Sequence, residues 1–126
     1  MTVKARVLVV DDDRLVADTL CMIYRVNGFE SEASYSAAEG FERAKSFAPD
    51  VVLSDVTMPE ESGMELAHRM MEALPKTRML LLTAYASNAA TVLAQSRGMH
   101  RPPKLLSKPC RPDDLLRETR ALLQSA

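Results

Sequence analysis

Five short apolar runs alternate with segments of helical pattern along the chain, and this alternation restricts the fold more than any other feature. Such an order is typical of α/β proteins with a parallel sheet, because each helix crosses over to bring the next strand alongside the last. The length of 126 residues suits one domain. We therefore predict a single (βα)5 domain over residues 1–126, with strands at Arg6–Val10, at Phe29–Ser34, between Pro49 and Pro59, at Met79–Leu82 and at Lys104–Ser107.

Apolar spacing predicts where several helices lie. The first, Arg14–Asn27, is amphipathic and should end at Gly28, where a left-handed residue commonly closes a helix. Its apolar stripe contains Leu15, Thr19, Met22 and Val26, beside Val16, Leu20 and Ile23. The fourth helix, about Ala86–Arg97, is the weakest, with only Val92 and Leu93 as large apolar anchors.

Polar signals predict the starts of three other helices. Ser36-x-x-Glu39 and Ser62-x-x-Glu65 have the spacing of a capping box, in which two side chains satisfy the first free amides of a helix. Pro112 is expected to open the fifth helix, because proline is favoured at the first helical position.

Charge and cysteine content exclude several classes of function. The formal net charge is −1, from 16 basic and 17 acidic residues, so a nucleic-acid partner is not indicated. The apolar runs are far shorter than the ~18 residues of a membrane span. Cys21 and Cys110 have neither metal nor redox spacing, and unpaired cysteines favour a reducing compartment. We expect a cytoplasmic protein that contacts neither nucleic acid nor membrane.

Acidic residues follow two of the predicted strands. Asp11, Asp12 and Asp13 come directly after the first strand, and Asp55 ends the third. Ligands of open parallel sheets bind at the carboxyl ends of the strands, so these carboxylates should meet at one rim if the two strands are neighbours. They cannot all stay ionised at close range without a cation between them. The sequence therefore predicts a metal site, with Asp13 as a helix cap rather than a ligand.

Four motifs together resemble the receiver domain of two-component response regulators, the CheY-like superfamily. All four lie at the carboxyl ends of predicted strands: Asp11-Asp12, Asp55-x-x-Met58-Pro59-x-x-x-Gly63, Thr83-Ala84 and Lys108-Pro109. The resemblance covers about Ala5 to Leu123. It implies a doubly wound sheet with the flavodoxin-like strand order 2-1-3-4-5, and a cis bond between Lys108 and Pro109.

The resemblance also implies a magnesium site. Asp12 and Asp55 are expected to be direct carboxylate ligands, with Asp11 acting through water and the backbone carbonyl of Thr57 as a further ligand. Oxygen donors of this kind are what Mg²⁺ prefers.

By the same resemblance, Asp55 is the phosphoacceptor, since a carboxylate can take a phosphoryl group as an aspartyl-phosphate. Lys108 and the hydroxyl of Thr83 are expected to neutralise and bind phosphoryl oxygens, together with backbone groups of Thr57 and Ala84. The domain would not be an enzyme beyond catalysing its own phosphorylation and dephosphorylation.

The implied donor is a sensor histidine kinase or a histidine phosphotransfer protein. Phosphorylation is expected to change the face formed by helix 4, strand 5 and helix 5, for an output partner or an output domain outside this sequence, and a homodimer can form on activation. Two features depart from the family. Leu105 stands where an aromatic residue is usual, and the segment before Lys108 is lengthened around Arg101-Pro102-Pro103.

Two alternative functions remain open from the residues. Leu105 and the Pro102-Pro103 insertion also suit a receiver-like interaction module that works without phosphate. Asp11-x-Asp13 also matches the D-x-D pattern of haloacid-dehalogenase-type phosphatases, but that function would leave Asp55 unused.

Overall fold

A parallel sheet with helices on both faces organises the protein. The computed structural model describes residues 3–85 and 87–124. Strands and helices alternate along the chain in the order β1 (Arg6–Val10), α1 (Arg14–Val26), β2 (Glu30–Ser34), α2 (Ala37–Phe47), β3 (Val51–Asp55), α3 (Gly63–Ala73), β4 (Arg78–Thr83), α4 (Ser87–Gln95), β5 (Lys104–Ser107) and α5 (Pro112–Gln124).

The strand order is β2-β1-β3-β4-β5, and all neighbouring strands are parallel. This confirms the predicted fold, including the position of β2 at an edge. Val10 is opposite Ser54 of β3, and Thr83 is opposite Ser107 of β5. The carboxyl ends of the strands are therefore level, and the polar residues that follow β1, β3, β4 and β5 share one edge of the sheet.

Side chains of the sheet alternate between two apolar clusters. On one face, Leu8 and Val10 pack with residues of α2 and α3 and with Val92 of α4. On the other face, Val7 and Val9 pack with residues of α1 and α5. Because each face of the sheet is covered, the continuous apolar runs of β1, β3 and β4 are explained by burial on both sides.

The apolar stripe of α1 is largely exposed, against the usual expectation that the apolar face of an amphipathic helix lies in the core. Leu15, Met22 and Val26 are exposed to 76%, 64% and 75%. The face that packs on the sheet carries instead Ala17, Cys21 and Tyr24. Leu93 of α4 is likewise 72% exposed, so Val92 alone of the two predicted anchors is buried.

Helix ends follow the sequence signals closely. Ser62 and Glu65 form a complete capping box, whereas Ser36 accepts a hydrogen bond from the Glu39 amide without the reciprocal bond being present. Gly28 has a φ of +94°, the left-handed conformation predicted after α1. α5 begins at Pro112 as predicted.

Candidate functional site

Three carboxylates converge at the carboxyl ends of β1 and β3. Oxygen atoms from Asp11, Asp12 and Asp55 all lie within 4.8 Å of one another. Asp11 is buried, the Asp55 side chain is 15% exposed and Asp12 is open to solvent. The sheet order produces this meeting, because β1 and β3 are adjacent although far apart in sequence.

Backbone amides fix the orientation of two of these carboxylates. The amide of Asp13 donates to Oδ1 of Asp11 at 2.9 Å, and the amide of Thr57 donates to Oδ1 of Asp55 at 3.1 Å. Asp13 itself accepts from the Leu15 amide at 3.0 Å and caps α1, as the sequence predicts. Each acid is thus held so that its second oxygen is available for other partners.

Lys108 contributes a positive charge to the acidic cluster. Its Nζ atom lies 2.9 Å from Oδ2 of Asp55 and 4.0 Å from Oδ2 of Asp11. The Lys108 amide donates to the Thr83 carbonyl at 2.7 Å, and the bond to Pro109 is cis, as the resemblance implies. The loop after β5 therefore directs the ammonium group towards the end of β3.

The charges in the cluster perturb each other. Burial raises the pKa of Asp11, and the negative charges of Asp55 and Asp12 raise it further, against the lowering effects of the Asp13 amide and Lys108. Burial lowers the pKa of Lys108, but its hydrogen bond with Asp55 and the three nearby acids outweigh that effect and raise it. One ammonium beside three carboxylates leaves an excess of negative charge. An oxygen-ligated divalent cation would neutralise this excess, so the residues present fit Mg²⁺.

Gly63, the last residue of the motif around β3, packs directly against the backbone of Asp55. A Cβ atom at Gly63 would clash with the backbone oxygen of Asp55. The same oxygen accepts a hydrogen bond from the buried hydroxyl of Ser54 at 3.0 Å. The supporting role of Ser54 was not predicted, although a polar residue in an otherwise apolar buried strand is a signal that could have indicated it.

Thr83 ends β4 on the same edge of the sheet. Its hydroxyl is buried and exchanges hydrogen bonds of 3.1 Å with the backbone of Tyr85, accepting from the amide and donating to the carbonyl. Ala84 is exposed beside it, and the Tyr85 side chain is 63% exposed. The β4–α4 loop thus holds the threonine hydroxyl by contacts within the loop.

An apolar groove adjoins the acidic cluster. It has a volume of about 500 Å³, and its walls include Val16 and Leu20 of α1 together with Lys108, Pro109 and Cys110. We call the exposed residues Leu15, Met22 and Val26 the α1 stripe. The groove places apolar surface next to Lys108 of the charged site, a feature that the sequence did not predict, and the α1 stripe adds exposed apolar surface on the helix that follows Asp13.

Comparison with known proteins identifies the family. The family model of the response regulator receiver domain matches residues 7–120 of this sequence. The chain belongs to this family. As a receiver domain it is a phosphoacceptor module of two-component signalling, and receiver domains in general obtain phosphoryl groups from histidine kinases. The dehalogenase-type phosphatase alternative is not supported.

Sequence relatives and solved structures agree with this membership. The receiver domain is 33% identical over 121 residues to the response regulator MprA of Mycobacterium ulcerans, covering 96% of this chain and 51% of the relative. It thus spans about half the length of the curated relatives it matches. A CheY-like receiver domain protein from Methanospirillum hungatei has a TM-score of 0.84 and 27% identity, covering 96% of this chain and 94% of that one. Vibrio cholerae CheY4 has a TM-score of 0.81 and 28% identity, covering 95% and 99%.

Within residues 3–85 and 87–124, no helix combines the length and the apolar character that a membrane crossing requires.

Proposed function

We propose that Asp55 accepts a phosphoryl group and that this event switches the surface formed by α4, β5 and α5. The observation that carries the proposal is the position of Asp55, whose Oδ2 atom is 2.9 Å from Nζ of Lys108. Asp55 also shares a cluster with Asp11 and Asp12. A nucleophilic carboxylate between an ammonium group and a divalent-cation site is what transfer of a charged phosphoryl group requires.

The metal site would consist of Asp11, Asp12, Asp55 and the backbone carbonyl of Thr57. Mg²⁺ held there would neutralise charge on the transferring group and reduce its repulsion by the carboxylates. Asp11 is buried and orders the cluster through its bond with the Asp13 amide, whereas Asp12 faces solvent. The open side at Asp12 is consistent with a cation that retains water ligands.

In the transfer step, an oxygen of Asp55 attacks the phosphorus of a phosphohistidine. A phosphorus–oxygen bond forms as the phosphorus–nitrogen bond breaks, and the imidazole of the donor leaves. Lys108 then binds a phosphoryl oxygen in place of part of its contact with the carboxylate. The backbone groups of Thr57 and Ala84 are the proposed remaining contacts on this side.

Thr83 is the proposed link between phosphorylation and the switch surface. To bind a phosphoryl oxygen, its hydroxyl has to exchange its two bonds with the Tyr85 backbone for the new contact. That exchange would move the β4–α4 loop, and with it α4. Leu105 is packed against the core cluster below α4, so the change would reach β5 through α4 rather than through rotation of an aromatic ring.

The α1 stripe and the groove lined by Val16 and Leu20 of the same helix are the proposed docking surface for the phosphoryl donor, a sensor histidine kinase or histidine phosphotransfer protein. Lys108 lines the groove, so a protein seated on Leu20 and the stripe would lie next to Asp55. Three exposed apolar side chains on one helix face are unfavourable in water, and a partner that covers them would remove this cost. The output partner or output domain, and a homodimer in the phosphorylated state, are further parts of the proposal.

The test is the intact mass of the protein after incubation with acetyl phosphate, with Mg²⁺ and with EDTA. We expect a single added phosphoryl group that requires Mg²⁺ and is absent from Asp55→Asn. Asp13→Asn is the matched control, because asparagine caps helices as well as aspartate does and should leave phosphorylation intact. Failure to form an adduct, with no binding of a beryllofluoride complex, would favour the interaction module that works without phosphate.

A further inference from the structure

The edge of the sheet opposite Asp55 carries a second groove. It lies where β3 and β4 begin, between the loops that precede these strands, and has a volume of about 390 Å³. Its walls include Ala48, Pro49, Ala73, Leu74, Pro75 and Lys76. The proposed phosphorylation chemistry uses none of these residues.

Two polar side chains in the wall of this groove, Asp50 and Thr77, are hydrogen-bonded within the protein. The carboxylate of Asp50 accepts a hydrogen bond from the Arg6 amide at 2.8 Å, and the Thr77 hydroxyl donates to the Pro49 carbonyl at 2.8 Å. Ala48 holds a left-handed conformation with a φ of +52°, at a position where glycine would be unstrained. The surface offered to a ligand is therefore mainly the apolar atoms of the alanine, leucine and proline side chains.

The rim of the groove is positively charged. Lys76 is exposed in the wall, and Nη1 of Arg101 lies 3.4 Å from the Pro75 carbonyl and 3.5 Å from the Lys76 carbonyl. Carbonyl contacts orient the guanidinium but leave its charge intact. Within residues 3–85 and 87–124, neither cation has a carboxylate within 4 Å. The sequence also has no acidic residue between Glu72 and Asp113.

We propose that this groove docks a segment of a partner protein in which a bulky apolar residue is flanked by acidic residues. The apolar walls would take the central side chain, and Lys76 and Arg101 would pair with the flanking carboxylates. Arg101 belongs to the Arg101-Pro102-Pro103 insertion, so the insertion gains a function as the charged part of this site. A concave apolar pocket with two cations suits a short acidic peptide better than a polyanion, which needs an extended basic surface.

The position of the groove makes ligand binding there independent of phosphorylation at Asp55. Residues 48–50 and 73–77 precede β3 and β4, whereas Asp55 and Thr83 end these strands. A bound segment would therefore leave the phosphoacceptor site open, and binding should be the same in Asp55→Asn. If the wild type binds the segment but takes up no phosphoryl group, only the proposed function is overturned. If the wild type is phosphorylated but does not bind the segment, only the groove proposal is overturned.

The test uses a fluorescein-labelled synthetic peptide with a central leucine–phenylalanine pair flanked by three glutamates on each side, followed by fluorescence anisotropy on the whole domain. The variant Lys76→Gln/Arg101→Gln should bind about tenfold more weakly, since two exposed ion pairs with the glutamates of the peptide are lost. Arg117→Gln/Arg120→Gln removes the same charge from α5 and should bind as the wild type does. Ala73→Trp, which adds bulk at the mouth of the groove, should also weaken binding.

Amide chemical shifts locate the bound peptide. We expect changes at residues 48–50 and 73–77 and none at 55–57, and a peptide with serines in place of the central pair should not bind. Equal affinity for the two double variants would overturn the proposal, because it would show attraction to charge in general. So would displacement of the peptide by duplex DNA or by vesicles that contain phosphatidylglycerol.

Discussion

Gly63 packs against the backbone of Asp55: a Cβ atom at Gly63 would clash with the Asp55 carbonyl oxygen and lie 3.1 Å from its carbonyl carbon. Asp55, the proposed phosphoacceptor, thus packs against the first residue of α3. Gly63→Ala must push the end of β3 away from α3, and we expect it to lower the free energy of unfolding by about 1–3 kcal/mol. Urea denaturation measures the change.

Gly40→Ala is the comparison for this prediction. A Cβ atom at Gly40 would come within 2.7 Å of a methyl group of Val10, which can yield more readily than backbone can. Gly63→Ala should therefore cost more stability and should also slow phosphorylation by acetyl phosphate. Equal stability losses and unchanged phosphorylation of Gly63→Ala would contradict the supporting role of Gly63.

Asp11 should destabilise the metal-free protein at neutral pH. Its pKa is raised in the folded state, chiefly by burial. The free energy of unfolding is therefore highest, with respect to this group, below its unfolded pKa, and it falls as pH rises through the folded pKa. Asp11→Asn keeps an oxygen for the Asp13 amide but carries no charge. Without divalent cations we expect the variant to melt above the wild type at neutral pH, with a difference that shrinks on acidification.

Addition of Mg²⁺ should reverse this order. The wild type gains stability by binding the cation, whereas Asp11→Asn has lost one of the acidic groups and should gain less. Thermal melts with Mg²⁺ and with EDTA provide the comparison. A variant that responds to Mg²⁺ as strongly as the wild type would remove Asp11 from the metal site.

The strands and helices could be predicted from local signals, because each signal indicates one element without information from the rest of the chain. β1, β5 and the start of α5 lie where apolar runs and Pro112 indicated, since a short apolar run between polar residues has few other structures open to it. The acidic cluster followed from one further step, the adjacency of β1 and β3. That adjacency came from the family resemblance, which implies the order 2-1-3-4-5, and it placed Asp11, Asp12 and Asp55 together before any distance was known.

The orientation of α1 could not be predicted in the same way. Its sequence has apolar residues on two faces, and periodicity does not say which face meets the sheet. Small side chains at Ala17 and Cys21 allow close approach to the sheet, and the Tyr24 hydroxyl finds a buried partner 2.7 Å away in Thr119 of α5. These contacts are made by elements distant in sequence. As a result, Leu15 and Met22 are exposed to solvent.

Tyr85 is expected to slow loss of phosphate from Asp55. Its side chain is exposed, two residues after Thr83, and is bulky enough to obstruct an attacking water molecule. Tyr85→Ala should release phosphate several times faster, as measured by the decay of the phosphorylated species in intact mass spectra. Tyr85→Phe keeps the bulk and should decay at the wild-type rate, so identical decay in Tyr85→Ala would reject the steric explanation.

The α1 stripe should be required for phosphotransfer from protein donors but not for phosphorylation by small donors such as acetyl phosphate. Met22→Glu places a charge in a surface that a donor would cover. We expect phosphotransfer to slow about tenfold or more, because burial of one methionine side chain contributes at least that factor in affinity.

The donor would be whichever histidine kinase or phosphotransfer protein in a purified panel phosphorylates the wild type fastest. Leu93→Glu, on an equally exposed residue of α4, is the matched control. Acetyl phosphate should act on all three proteins at one rate, since it needs no docking surface. Slowing with both donors would place the effect of Met22 in the chemistry, and slowing with neither would remove the stripe from donor recognition.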